Sequence, residues 1–151
     1  MSNQSAIRPT HVVTCILLRT DQPQPKMLLM RRSERVGSYN DQWAGVSGFV
    51  EPRVEPQDQA FTEIREETTL RSDQVRLLRR GTVIDYLDEA IRRHWYIHPF
   101  LFEALEPDAV RHDWEATEMR WIDPADLHNY HTVPKLQEVY DSAAHGEINS
   151  I

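Results

Sequence analysis

Three glutamates near the middle of the chain have the residue type and spacing to support chemistry. Glu63, Glu66 and Glu67 have i, i+3 and i, i+4 spacing, which places their carboxylates along one edge of a helix. Like charges this close repel each other unless a cation lies between them. Oxygen ligands at this density suit Mg²⁺ or Mn²⁺, ions that also bind phosphate oxygens. The segment therefore predicts a metal-dependent site for phosphate chemistry.

The elements next to these glutamates predict how they are positioned. A helix is predicted to begin near Gln57 or Asp58, because Pro56 suits a first helical turn. A strand is predicted over residues 42–50, where Gly45 and Gly48 would allow close approach of another group to the backbone. The loop between them would then connect a glycine-containing strand to the acidic helix.

The rest of the chain alternates between predicted strands and helices. Strands are predicted over residues 11–19, 26–32, 75–87, 91–104 and 117–122, a short helix at Pro124, and a terminal helix over 133–144. This order favours an α/β fold with one mixed sheet between helices. Residues 1–9 are predicted to be a disordered N-terminal tail, and residues 10–151 a single domain, a size sufficient for its own core.

Composition narrows the classes of partner. The net charge of −7 argues against polymeric nucleic acid and anionic membranes as partners. No apolar run approaches the roughly 20 residues that span a bilayer, and the first eight residues lack the apolar core of a signal peptide. Cys15 is the single cysteine and lies in an apolar run, so we expect a buried core thiol. The expected location is the cytoplasm.

The segment from Gly48 to Leu70 resembles the signature box of the Nudix hydrolase superfamily. Six positions of the family pattern match without a gap. They are the first glycine, the three glutamates near the end of the box and its two aliphatic positions, here Gly48, Glu63, Ile64, Glu66, Glu67 and Leu70. Three positions depart from the pattern: Val54, Thr62 and Thr69 replace a Glu, an Arg and a Gly. Segments at 28–32, 43–48 and 121–127 also resemble the strands and short helix of the family, so the resemblance covers roughly residues 10 to 145.

Two of the departures are linked. In the family, the Glu and the Arg that are absent here pair with each other and brace the loop against the helix. Losing both partners leaves no orphan charge, which costs far less than losing one. Glu51 or Glu55 could partly replace the missing Glu, but no residue pairs as the Arg would.

The resemblance implies a Nudix-type α/β/α sandwich and a site that binds Mg²⁺ or Mn²⁺. The metal ligands that it implies are Gly48, through its carbonyl, and Glu63, Glu66, Glu67 and Glu115; the catalytic candidates are Glu66, Glu67 and Glu115. Glu115 precedes the late strand that contains Trp121, where many family members place a further carboxylate, and Glu118 is the second choice there. The seven histidines show no metal-ligand spacing.

Substrate-binding candidates come from arginine and aromatic residues. Arg31 and Arg53 could hold phosphate, although solvent-facing charge is the ordinary alternative; Arg31 and Arg32 alternate on a strand, so only one can face a cleft. Trp43 could stack on a base or simply pack in the core. Tyr39, Trp95, Tyr96 and Trp114 carry the same two alternatives.

Three functions remain open. The first is a Mg²⁺-dependent hydrolase that cleaves the pyrophosphate of a nucleoside diphosphate linked to another group, such as a nucleoside triphosphate, a nucleotide sugar or a dinucleoside polyphosphate. The second is a catalytically silent Nudix-fold module that binds a nucleotide or metabolite, which the three departures motivate. The third is an isomerase acting on an allylic diphosphate, for which Cys15 is poorly placed. A homodimer is possible.

Overall fold

A pair of parallel strands in the middle of the sheet organises the fold, which a computed structural model describes for residues 6–149. β1 (Arg8–Arg19) runs parallel to β7 (Arg93–Ala104), in register from Arg8 opposite Arg93 to Leu18 opposite Glu103. Residues 1–5 of the predicted tail lie outside the described residues. Strand β1 begins at Arg8, three residues before the predicted start, so Arg8 and Pro9 pair with β7 rather than belonging to a tail.

The remaining strands extend this pair into one mixed sheet. They are β2 (Lys26–Arg32), β3 (Trp43–Ala44), β4 (Val46–Phe49), β5 (Val75–Arg80), β6 (Ile84–Asp88), β8 (Ala116–Ile122) and β9 (Glu147–Ile148). The described strands follow the order β3-β2-β1-β7-β5-β9, with β4 paired to β1, β6 to β7 and β8 to β2. All of these pairs except β1–β7 are antiparallel. The mixed sheet is confirmed.

One helix covers each face of the sheet. Helix α1 (Pro56–Thr68) buries Ala60 and Ile64 in one apolar cluster with Cys15. Helix α2 (Leu136–Ala144) buries Leu136 in a second cluster that includes Ile16. Because successive side chains of a strand point to opposite faces, Cys15 and Ile16 lead to opposite layers. The predicted α/β sandwich is thus confirmed.

Helix α1 begins at Pro56, within two residues of its predicted start. Pro56 occupies its first turn, as predicted. Thr69 follows the last helical residue with φ 69°, and its amide donates to the Arg65 carbonyl at 3.0 Å. A β-branched residue rarely adopts this left-handed conformation, which costs about 1–3 kcal/mol. Thr69 therefore caps the helix in the place where the Nudix pattern has glycine.

The predicted strand over residues 75–87 is wrong, because the structure divides it into β5 and β6. The interruption lies opposite Pro99 of β7, which has no amide hydrogen to donate to a ladder. Gly81 donates to the Pro99 carbonyl at 2.9 Å and packs against Ser142 of α2, whose hydroxyl accepts from the Thr82 amide at 2.8 Å. The pairing along β7 is thus interrupted where α2 approaches the sheet.

Other predicted bounds shift slightly. The strand predicted over 42–50 is divided at Gly45, where a Cβ would lie 2.8 Å from the Cys15 carbonyl oxygen. The terminal helix begins at Leu136 rather than residue 133, and Pro124–Asn129 forms a 3-10 helix. Within residues 6–149, neither α-helix has the length and apolar character needed to cross a membrane.

Candidate functional site

The acidic edge of α1 packs against the strand that ends at the glycine of the box. The side chain of Glu63 is buried, 9% exposed, and its carboxyl group, including Oε1, occupies the space that a Cβ on residue 48 would fill. Only glycine at position 48 leaves room for that carboxyl group. The close approach predicted for Gly48 is therefore present, and the side chain that makes it is Glu63.

Glu67 lies deeper than Glu63 on the same helix. Its side chain is 7% exposed, and its Oε2 has no hydrogen-bond partner among the described residues. Burial raises the pKa of Glu67 well above its usual range, and the charges of Glu115 and Glu63 raise it further. Burial also raises the pKa of Glu63, against the opposing effect of a hydrogen bond from Gln59. Ionisation of these two buried carboxyl groups is thus unfavourable in the metal-free protein.

Glu115 reaches the same region from the loop before β8. Its amide donates to the Asp113 carboxylate at 2.9 Å, and its carbonyl accepts from Ser33 at 2.9 Å. Burial raises the pKa of Glu115, and Asp113 and Glu63 add to the shift. Glu118, the second choice, instead pairs with Arg31 at 3.2 Å and with Arg120 at 3.4 Å. The structure thus brings Glu115, and not Glu118, to the box carboxylates.

Glu66 is the box carboxylate that faces solvent. Its side chain is exposed and lies outside the lining of the adjacent cavity. Its negative charge nevertheless raises the pKa of both Glu63 and Glu115. Glu66 therefore contributes charge at the rim of the acidic region.

A cavity of about 630 Å³ adjoins the acidic edge of α1. Gly48, Glu51, Glu63 and Glu115 line one part of it. Aromatic and aliphatic side chains line another part: Val12, Tyr39, Phe49, Tyr86, Ile91, Trp95, Ile97, Leu136 and Val139. A cavity of this size suits a ligand of drug-like or nucleotide dimensions. One cavity thus joins an acidic end to an apolar, aromatic wall.

The aromatic wall is held in place by its own contacts. The rings of Phe49 and Trp95 are stacked with centroids 6.4 Å apart. The Trp95 indole donates to the Tyr39 hydroxyl at 2.9 Å, which in turn donates to Asp88 at 2.6 Å. Phe49 remains 55% exposed, and the Arg93 guanidinium lies 6.0 Å from its ring centre. Aromatic faces of this kind can stack on a nucleobase.

Trp43 does not belong to that wall. It is buried, lies outside the cavity lining, and makes an edge contact with Tyr130 at a centroid distance of 5.5 Å. The guanidinium of Arg120 lies 5.2 Å from its ring centre. The substrate-binding prediction for Trp43 is therefore corrected to the packing alternative.

Of the two adjacent arginines, the structure places Arg32 rather than Arg31 at the cavity. Arg31 pairs with Asp41 at 2.9 Å and with Glu118, and it does not line the cavity. Arg32 lines it, with its Nε donating to the Ser38 carbonyl at 2.9 Å. Burial lowers the pKa of Arg32, against the attraction of Glu67 and Glu115. The arginine at the acidic end is therefore Arg32, in place of Arg31.

Arg53 is placed away from the cavity. It is exposed in the loop before α1, with φ 67°, and does not contribute to the cavity lining. Cys15 is fully buried with its Sγ 3.8 Å from the Ala60 carbonyl oxygen, as predicted for a core thiol. It does not line the cavity either. The isomerase hypothesis therefore lacks its nucleophile.

Gln59 is a site residue that the sequence reasoning missed. It is 3% exposed, and its side-chain amide donates to Glu63 Oε2 at 2.8 Å. The Glu51 amide donates to Gln59 Oε1 at 3.1 Å. The signal in the sequence was the i, i+4 spacing of Gln59 and Glu63. Gln59 therefore links the box loop to the acidic helix.

The donor set is compatible with a divalent cation of the Mg²⁺ or Mn²⁺ type. The candidate ligand atoms are all oxygens, the Glu67 Oε2 atom is buried without a partner, and Gly48 lets the Glu63 carboxyl group approach the strand end. Within residues 6–149, no three acidic, histidine or cysteine side chains already stand close enough to hold an ion. Carboxyl groups this close are accommodated either by a cation between them or by protonation of one of them, and a bound cation would favour the ionised form.

Fold and site together define an α/β sandwich with a carboxylate-rich helix against a glycine strand end. The profile of the NUDIX domain matches residues 9–142. The chain therefore belongs to the Nudix hydrolase superfamily.

Solved structures with the same fold are similar to this chain at low identity. A C. elegans Ap4A hydrolase binary complex has a TM-score of 0.74 and 16% identity, covering 88% of this chain and 93% of that one. The E. coli dihydroneopterin triphosphate pyrophosphohydrolase has a TM-score of 0.73 and 14% identity, with 91% and 96% covered. The NUDIX domain of Shewanella oneidensis NrtR, complexed with ADP ribose, has a TM-score of 0.67 and 14% identity, with 93% and 87% covered. No curated protein sequence matches.

Proposed function

We propose that this protein is a Mg²⁺- or Mn²⁺-dependent hydrolase that cleaves the pyrophosphate of a nucleoside diphosphate linked to another group. The observation that carries the proposal is the single cavity that joins Glu63 and Glu115 to an aromatic wall. Such a cavity suits a ligand with a flat base and a charged diphosphate. The names of similar structures, an Ap4A hydrolase, a pyrophosphohydrolase of a triphosphate and an ADP-ribose complex, agree with this substrate class.

The residues of the chain have distinct roles in this proposal. The carbonyl of Gly48 and the carboxylates of Glu63, Glu66, Glu67 and Glu115 form the candidate ligand set. When bound, the divalent ion would supply Lewis-acid neutralisation of the diphosphate. The base would stack on the exposed ring of Phe49 and its neighbours.

Two further groups would act on the phosphate and the water. The Arg32 guanidinium, fixed by the Ser38 carbonyl, would donate charge-assisted hydrogen bonds to a phosphate oxygen. Glu115 would accept the proton of the attacking water, because it lines the cavity and burial raises its proton affinity. Glu66 and Glu67 remain alternative bases in the proposal.

A panel of nucleoside diphosphate derivatives tests the proposal. Products would be resolved by ion-exchange chromatography with Mg²⁺ or Mn²⁺ present, for wild type, Glu67→Gln and the control Glu138→Gln, an exposed residue of α2. Turnover in wild type and the control, with a loss of at least a hundredfold in Glu67→Gln, is the expected result. Turnover that is independent of added metal would refute the proposal.

The same panel tests the alternative of a silent binding module. Val54 and Thr62 lack the charges of the family brace, which is the observation that favours a module without turnover. Nucleotide binding by wild type with no hydrolysis of any compound would establish that alternative. The cytoplasmic location and the homodimer remain predictions, to be checked by cell fractionation and by light scattering.

A further inference from the structure

The loop and helix of the box are joined here by an uncharged side chain. Val54 and Thr62 stand where the Nudix pattern has a Glu and an Arg that pair. Thr62 bonds within its own helix, to the Asp58 carbonyl at 3.2 Å, and the Val54 amide bonds within its own loop, to the Glu51 carbonyl at 3.1 Å. Neither position therefore connects loop to helix through a side-chain hydrogen bond.

We infer that Gln59 is a positioning residue that replaces the charged brace of the box with a neutral one. Its Oε1 accepts from the Glu51 amide in the loop, and its Nε2 donates to Glu63 in the helix. A primary amide can make both bonds because it carries an acceptor and donors on one planar group. The inference rests on the proposed function for its link to metal binding, whereas the brace itself is independent of hydrolysis.

The brace determines where the carboxylate of Glu63 points. Glu63 Oε2 receives the Gln59 hydrogen bond at 2.8 Å, while Oε1 lies against Gly48. Both carboxylate oxygens of Glu63 are therefore fixed in position, Oε2 by the Gln59 amide and Oε1 by contact with Gly48. Because Gln59 is buried, water does not compete readily for either hydrogen bond.

The position of Gln59 behind a candidate ligand sets the expected size of its effect. Groups that hydrogen-bond to metal ligands typically change metal affinity or activity by about 10- to 100-fold when they are removed. Loss of the Gln59 amide should therefore weaken Mn²⁺ binding without removing any ligand. The same loss should loosen the hydrogen bond of the Glu51 amide in the metal-free protein.

The test is Gln59→Met, which keeps the volume of the side chain and removes both hydrogen bonds. The matched control is Gln137→Met, because exposed Gln137 makes the same i, i+4 bond to a carboxylate, Asp141 at 3.1 Å, in the other helix. We expect Gln59→Met to raise the Mn²⁺ dissociation constant, measured by electron paramagnetic resonance, about tenfold or more. The Mn²⁺ dissociation constant of the control should stay within about twofold of wild type, since Gln137 and Asp141 lie in α2 and bond to none of the candidate ligands.

Hydrogen exchange of the Glu51 amide, measured by NMR in the metal-free protein, is the second measurement. Wild type and the control should protect this amide, and Gln59→Met should speed its exchange about tenfold, the equivalent of a hydrogen bond of about 1.4 kcal/mol. An unprotected Glu51 amide in wild type would overturn the brace, and this measurement needs no variant to fold. A Gln59→Met protein with unchanged exchange and unchanged Mn²⁺ affinity would overturn it too.

Introducing the Glu and Arg of the family pattern into Gln59→Met distinguishes loss of the loop-to-helix connection from a change in packing at residue 59. Adding Val54→Glu and Thr62→Arg to Gln59→Met should return the Mn²⁺ affinity to within about threefold of wild type, because a Glu–Arg pair would again join the loop to the helix. Absence of recovery would overturn the equivalence of the two braces. Wild type that binds Mn²⁺ but hydrolyses nothing would refute the proposed function. The inference about Gln59 would still be decided by the Mn²⁺ affinities and the hydrogen exchange of the Glu51 amide.

Discussion

Glu67→Gln should stabilise the metal-free protein while removing the activity proposed for it. The Oε2 atom of Glu67 is buried without a partner, and the charges of Glu115 and Glu63 oppose ionisation of this carboxyl group. Glutamine keeps the shape of the side chain and removes its charge. The variant in the presence of a chelator should therefore unfold at a higher temperature than wild type.

The gain comes from removal of the charge, because glutamine also leaves a buried polar atom without a partner at this position. The desolvation penalty of a buried unpaired group is about 1–3 kcal/mol and larger for a charged one, and we take this range for the difference between carboxylate and amide. For a chain of this length, each kcal/mol raises the midpoint of thermal unfolding by about 3 °C. The expected rise in midpoint is therefore roughly 3–9 °C at pH 8.

The pH dependence of the stability difference between Glu67→Gln and wild type provides a second test of its sign. Burial raises the folded-state pKa of Glu67 above its usual value of 4.5, so its contribution to stability is retained below that value. That contribution is lost as the pH rises through the raised pKa. The advantage of the variant should therefore be small near pH 4 and should grow as the pH is raised to 8.

Calorimetry in a chelating buffer from pH 4 to pH 8 makes the measurement. Glu66→Gln is the control, because Glu66 is an exposed neighbour on the same helix and its removal should change stability by less than about 0.5 kcal/mol. Added Mg²⁺ should stabilise wild type by mass action and Glu67→Gln much less. A variant less stable than wild type at pH 8 in the chelator would refute the reasoning.

Three further predictions concern the cavity and the sheet. Phe49→Ala should raise KM about tenfold with little change in kcat, because one stacked ring contributes about 1–3 kcal/mol; an unchanged KM for all active substrates would contradict the stacking role. Arg32→Ala should lower kcat/KM by at least about tenfold and Arg31→Ala by less than about threefold, since a hydrogen bond to a charged group contributes about 1.5–3 kcal/mol; equal losses would contradict the placement of Arg32. Burial and the neighbouring His11 lower the pKa of His98 below 6.5, so its stabilising effect is present above that pH and lost as the pH falls through the lowered pKa. His98→Gln should therefore flatten the acid limb of the stability curve in urea titrations, and an unchanged limb would contradict this assignment.

Sequence reasoning succeeded where a local pattern has one physical reading. The β-branched run of β1, the proline that opens α1 and the carboxylate spacing on α1 each predict their element without tertiary information. Glu115 was predicted from the resemblance to the Nudix family rather than from a local pattern, and the structure brings it to the box carboxylates. The apolar run around Cys15 predicted a buried thiol, again from a local pattern.

The features that were predicted wrongly or missed depend on tertiary contacts, which the sequence does not show. Arg31 and Arg32 alternate on β2, but residues 27–30 are buried on both faces of the strand, so the hydrophobic pattern does not say which arginine meets the cavity. The division between β5 and β6 depends on Pro99, a residue of the partner strand that is distant in sequence. Gln59 was missed because a buried glutamine on a helix is significant only once its partners, Glu51 and Glu63, are known.

The parallel pairing of β1 with β7 has a consequence for synthesis on the ribosome. Arg8 pairs with Arg93 and Leu18 with Glu103, so the middle of the sheet joins segments separated by more than half of the chain. Contacts this distant in sequence slow folding, because a long loop must close before they form. A nascent chain that already contains α1 and its carboxylates therefore has no partner for one edge of β1 until β7 leaves the exit tunnel. Chaperone binding to this chain should accordingly peak before residue 104 emerges and decline afterwards.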